Sequence, residues 1–68
     1  MPADHRDLVL ATRHVVEGRL IVAHQRDRIA QLKAAGASTL DAEQTLQVFE
    51  RSLAIFEAHE CKLRQDGA

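Results

Sequence analysis

His14, His59 and Glu60, with Glu17 nearby, are the side chains whose chemistry invites attention first. Neutral imidazole and carboxylate are suitable ligands for first-row metals, and helical bundles assemble such ligands from facing helices. The usual di-metal pattern is Glu-x-x-His on two helices with further glutamates. This chain has the reverse order, His14-x-x-Glu17, once. The competing reading is a polar layer in which Glu60 accepts a hydrogen bond from His14 and fixes how two helices align. That reading needs no ion, so no metal and no cofactor is expected, with His14, His59 and Glu60 kept as the candidate ligands of an alternative, a metal- or small-ligand-binding bundle.

Other chemistries find less in the sequence. Cys61 and His59 are two residues apart, which on a helix turns them to different faces. No Ser-His-Asp arrangement and no glycine-rich phosphate loop is present. A 68-residue chain of this kind encloses no pocket of its own. The expectation is a protein that is not an enzyme. Arg6, Arg13, Arg19, Arg26, Arg28 and Lys33 give the first half a basic bias that raises nucleic-acid binding as a further alternative. The net charge of −1 and an acidic second half argue against it.

The elements that must position these residues follow from composition. Two phenylalanines, Phe49 and Phe56, are the aromatics, and proline occurs once. A chain rich in Ala, Leu, Glu, Gln and Arg favours helix and argues against a sheet. Its 46% hydrophobic content is too high for disorder. The longest apolar run, Leu20-Ile21-Val22-Ala23, is far short of a membrane span. The first seven residues lack the basic-then-apolar form of a signal peptide. One cysteine cannot form a disulfide within the chain, which points to a reducing compartment. A cytoplasmic protein without membrane contact is expected.

Punctuation falls at Ala35-Gly36-Ala37-Ser38-Thr39. Gly36 can end a helix in the left-handed conformation. Ser38 or Thr39 can cap the next one, with Asp41 and Glu43 suited to its first turn. Asp4 is a cap candidate for the first helix, and Gly67 marks the far end. A single domain over residues 1–68 is predicted, with helix 1 at about 4–35, a turn at 36–39 and helix 2 at about 40–65.

Apolar spacing predicts how the helices meet. Leu8, Ala11, Val15, Gly18, Val22, Gln25, Ile29 and Leu32 alternate steps of three and four, as do Ala42, Leu46, Phe49, Leu53, Phe56, Glu60 and Leu63. This is a coiled-coil seam. It predicts an all-α, antiparallel two-helix hairpin with Val15, Val22, Ile29, Leu32, Leu46, Phe49, Leu53, Phe56 and Leu63 as its core. One register pairs Leu32 with Leu46, Ile29 with Phe49, Gln25 with Leu53, Val22 with Phe56, Gly18 with Glu60 and Val15 with Leu63. The same register sets Lys33 opposite Glu43, Arg26 opposite Glu50 and Arg19 opposite Glu57. Such exposed pairs contribute about 0–1 kcal/mol each, so their value is in specifying alignment. Gly18 inside a helix costs about 1 kcal/mol relative to Ala and asks for a packing reason. Gln25 reads as a register- or partner-specifying residue; His5 and His24 read as surface residues.

One seam is little core for a chain of this length. Val9, Val16, Ala23 and Ala30 form a second stripe, and Leu10, Leu20, Ile21, Val48 and Ile55 also fall off the seam. Left open these would make a long apolar patch. Packed on another hairpin they complete a four-helix bundle. A twofold homodimer is the default expectation, a tetramer the larger possibility, and a different protein partner the rival.

The residues His14-Val15-Val16-Glu17-Gly18, Gln25-Arg26, Gly36 and Leu46-Gln47-Val48-Phe49-Glu50, followed by Leu53 and His59, resemble a group of short bacterial two-helix hairpin proteins of unknown function. The resemblance covers nearly the whole chain. It implies the hairpin fold and no activity, substrate or ligand, and it singles out His14, Glu17, Gly18 and Gln25. The function expected from all of this is a non-catalytic interaction or regulatory module built as a small helical oligomer.

Overall fold

A computed structural model describes residues 5–67. It contains two helices, α1 (His5–Ala34) and α2 (Leu40–Gly67), and among the described residues no strand. α1 stops one residue short of the sequence expectation and α2 runs two residues further, through Gly67. Asp4, the expected cap of α1, lies outside the described residues. No described helix is long and apolar enough to cross a membrane.

The turn follows its residue types closely. Gly36 adopts φ +71°, the left-handed conformation. Its N–H donates to the Lys33 carbonyl at 3.0 Å, and the Ala37 N–H donates to the Leu32 carbonyl at 2.9 Å. These two bonds satisfy carbonyls that α1 would otherwise leave open, the Schellman arrangement. On the other side the Leu40 N–H donates to Ser38 Oγ at 3.4 Å, and the Glu43 N–H donates to the Thr39 carbonyl at 2.8 Å. Gly36 is thus the stop and Ser38 the side-chain cap, whereas the Thr39 contact is the first backbone bond of α2, made by its carbonyl.

Beyond the turn the helices lie against one another. The Cα trace measures 52 × 14 × 12 Å, where one uninterrupted helix over residues 5–67 would run to about 95 Å. Contacts between the helices fix the alignment. Gln25 reaches Ala42, Gly18 lies under Leu53, His14 touches Phe56 and Thr12 reaches Glu60. Residue numbers rise along α1 as they fall along α2.

These contacts correct the expected register. Gly18 was expected opposite Glu60, and meets Leu53 instead, seven residues earlier in α2. Gln25 was expected opposite Leu53, and meets Ala42. At Gly18 the displacement is one heptad; the long Gln25 side chain reaches a backbone acceptor a further turn along. A heptad slip preserves the match of seam positions, so apolar spacing alone cannot choose between the two alignments. The turn chooses. The expected register centres on Thr39, whose carbonyl already begins α2, whereas the observed one centres close to the left-handed Gly36.

The burial pattern picks out the seam. Ala11, Val15, Val22 and Ile29 are buried, with Val15 only 1% exposed. Leu8, Gly18, Gln25, Leu32, Ala42, Leu46, Phe49, Leu53, Glu60 and Leu63 are half-buried. Phe56, expected in the core, is 37% exposed. Gly18 has its packing reason: a Cβ placed there would lie 3.1 Å from Leu53 Cδ1 and 3.8 Å from Phe56 Cδ2. The missing side chain lets the helices approach closely at mid-length.

Candidate functional site

Each helix presents a stripe of residues seven apart on either side of the seam, so the pair has two long edges. The first edge carries Thr12, Arg19, Arg26 and Lys33 from α1 and Glu43, Glu50, Glu57 and Arg64 from α2. Arg19 Nη2 reaches Glu57 Oε2 at 3.2 Å. Arg64 Nη2 reaches Glu60 Oε2 at 3.3 Å along α2. Thr12 hydrogen-bonds to Glu60 across the seam, which, with Arg64 and then Arg19 nearby, holds the Glu60 carboxyl below its ordinary range against the opposing effect of desolvation.

Arg26 with Glu50 and Lys33 with Glu43, expected as partners, do not form ion pairs. All three pairs stand at the same offset along the helices; Arg19 spans it to Glu57 with a long side chain that leans toward the N-terminus of α1, the direction in which later residues of α2 lie.

The polar cluster is dispersed. Glu60 is engaged by Thr12 and Arg64, whereas the His14 ring stacks obliquely on Phe56, centroids 5.4 Å apart and planes inclined by 41°. His14 and His59 border the same shallow groove, near Asp7 and Leu10. Among the described residues no group of three or more His, Cys, Asp or Glu has a geometry that could hold a metal ion. Cys61 is an exposed free thiol that accepts a hydrogen bond from Gln65 Nε2 at 3.7 Å. Gln25, which the spacing marked as odd, donates from Nε2 to the Ala42 carbonyl at 2.8 Å, a cross-link between the helices just below the turn.

The second edge is unlike the first. No described ion pair crosses it. Instead three successive grooves run along it. The one nearest the turn, about 430 Å³, is bordered by Gln25, Arg28, Ser38, Asp41 and Thr45. The middle one, about 510 Å³, is bordered by Ile21, His24, Arg28 and Phe49. The third, about 400 Å³, is the one shared by His14 and His59. Ile21 is 47% exposed, and Val48 and Ile55 on the adjoining stripe of α2 are 59% and 62% exposed.

Two features were not anticipated from the sequence. Thr12 as the partner of Glu60 depends on the register, and the open furrow depends on which edge the ion pairs close. The seven-residue spacing of Asp7, His14, Ile21 and Arg28 was the available signal for the second. Comparison of the chain with protein-family models, curated proteins and solved structures returned no match.

Proposed function

We propose that this protein is a non-catalytic interaction module: an antiparallel helical hairpin that becomes complete by associating with a second copy as a four-helix bundle. The observation that carries this reading is the surface left uncovered. The chain exposes 5303 Å², whereas a compact monomer of 7.6 kDa exposes about 4,300 Å². The excess is close to the roughly 800 Å² per partner of a stable interface. The exposed side chains include Val9, Leu10, Val16, Leu20, Ile21, Leu40, Val48 and Ile55, too many large apolar groups for a chain whose described core is four buried residues. A twofold dimer is the commonest closed assembly and is the one adopted here; a tetramer would use both edges. An exposed free thiol at Cys61 supports placement in a reducing, cytoplasmic setting.

The alternatives drawn from the sequence gain less. A metal site at His14, His59 and Glu60 would need side chains that are engaged separately, by Phe56, Thr12 and Arg64. Nucleic-acid binding through α1 would draw on Arg19, which already faces a carboxylate.

Sedimentation equilibrium of the full chain over a hundredfold range of concentration tests the proposal. The expected result is a mass near twice 7.6 kDa that dissociates on dilution, with helix content falling as it does so. A helical monomer at every concentration overturns it.

A further inference from the structure

We infer that the second copy docks on the grooved edge with its ends reversed, about a twofold axis that crosses the helix pair at the height of Gly18 and Leu53. This rests on the self-association proposed above and specifies its face and direction.

Two stripes border the grooves. On α1 it is Asp7, His14, Ile21 and Arg28, all four of which line them. On α2 the grooves are lined by Thr45 and His59, and the stripe next outward on the same side is Asp41, Val48, Ile55 and Lys62, seven apart, of which Asp41 also lines a groove and Val48 and Ile55 are 59% and 62% exposed. Both stripes have the same pattern. A carboxylate stands at the N-terminal end, a cation stands three heptads later, about 31 Å along the axis, and the residues between are apolar or histidine. Read backwards with its charges exchanged, each stripe is complementary to itself. An antiparallel copy of the same helix therefore satisfies both of its charged ends.

The two stripes could have demanded different axes, but they agree. The midpoint of Asp7 and Arg28 falls between residues 17 and 18. The midpoint of Asp41 and Lys62 falls between residues 51 and 52, and so does that of Val48 and Ile55. Gly18 packs under Leu53, so both midpoints lie at nearly one height. A single perpendicular twofold brings Asp7 to Arg28 of the second copy, Asp41 to its Lys62 and Val48 to its Ile55, each of these twice. The first edge lacks this symmetry, because its α1 stripe is basic at Arg19, Arg26 and Lys33 and would meet its own kind. A twofold running along the long axis, which keeps the turns at the same end, would use the grooved edge differently. It would place Arg28 by Asp41 of the second copy, Asp7 by its Lys62, Ile21 by its Val48 and His14 by its Ile55. Charges are then matched equally well, and the difference is that Ile55, the most exposed of the three apolar side chains, meets a histidine there and Val48 in the reversed arrangement. The reversed arrangement has its own cost, since Glu17 falls close to the axis and faces its copy.

The test is a charge exchange read by sedimentation equilibrium, with circular dichroism reporting helix content. Arg28→Asp and Asp7→Arg, separately, are expected to weaken the dimer about tenfold, since two symmetry-related attractions become repulsions. The double variant Arg28→Asp/Asp7→Arg is expected to return to within about threefold of the parent. A double variant as weak as either single, or rescue of Arg28→Asp by Asp41→Arg instead, overturns the reversed arrangement. Ile55→Arg is expected to weaken the dimer at least a hundredfold, whereas Val16→Arg, on the other side of α1, leaves it unchanged. The opposite outcome moves the interface to the first edge and leaves self-association standing. A parent protein that is monomeric throughout removes both proposals.

Discussion

Arg19 spans one edge of the helix pair to Glu57, and Thr12, Glu60 and Arg64 continue the closure toward the chain ends. The opposite edge has charged residues at the same seven-residue spacing and no bridge, only three grooves floored by Gln25, Phe49 and Ala11. The difference lies in the order of signs. On the first edge each helix is mainly of one sign, basic on α1 and acidic on α2, so the two helices of a single chain can satisfy one another. On the second edge each helix carries both signs, far apart. Charges set at the same spacing thus produce a surface that closes on itself and a surface that does not. Where a stripe of one sign faces a stripe of the other, the fold uses the charge internally; where signs alternate along one helix, the charge remains for something else to read.

The strongest way to break the comparison is to force the helices apart. Gly18→Leu puts a side chain where Leu53 Cδ1 already stands 3.1 Å from a bare Cβ position. It is expected to destabilise the chain by about 2–3 kcal/mol, measured by urea denaturation at fixed protein concentration, and to abolish the Arg19–Glu57 coupling because both edges open together. Unchanged stability would mean that the close approach at mid-length is not what holds the seam.

A smaller effect is expected from Gln25→Ala. It removes the 2.8 Å hydrogen bond to the Ala42 carbonyl at the floor of the open edge. About 0.5–1.5 kcal/mol should be lost, and amide exchange should accelerate in the first turns of α2 while the chain-end half keeps its protection. Uniform acceleration along both helices would show that the link does not act locally.

Much of this was readable from residue order. The break at Gly36, the caps around it and the seam of Val15, Val22, Ile29 and Leu53 follow from φ preference, hydrogen-bonding capacity and apolar period. The register was not readable, because a pattern that repeats every seven residues looks the same after a seven-residue slide, and ion pairs of about 0–1 kcal/mol are too weak to decide it. From that single ambiguity came the rest: Glu60 facing Thr12 instead of Gly18, Gln25 reaching Ala42, and Phe56 left partly exposed under the His14 ring.

The smallest effects belong to the closed edge, and they sharpen the comparison. A double-mutant cycle on Arg19 and Glu57, both largely exposed, is expected to give a coupling of no more than about 1 kcal/mol that fades in molar salt. A coupling several times larger would mean the edge is far better shielded than its exposure implies. Acid should act on the same edge through Glu60. Its carboxyl sits below the ordinary value of 4.5, so its stabilising contribution is present above that pH and is lost as pH falls through the lower, folded-state value. Glu60→Gln should flatten the acid limb of a stability–pH profile; a parallel limb would assign the titration elsewhere.

The two helices are ruled alike, as the scales of a vernier are, and the short turn is the stop that fixes where they coincide. Tightened by Gly36 and the two hydrogen bonds around it, that stop selects the coincidence in which glycine faces leucine. A slack, lengthened connection would free the scales to slide by one division and give up that close backbone contact. Alignment over some 50 Å of helix is thereby entrusted to a handful of backbone angles at one end.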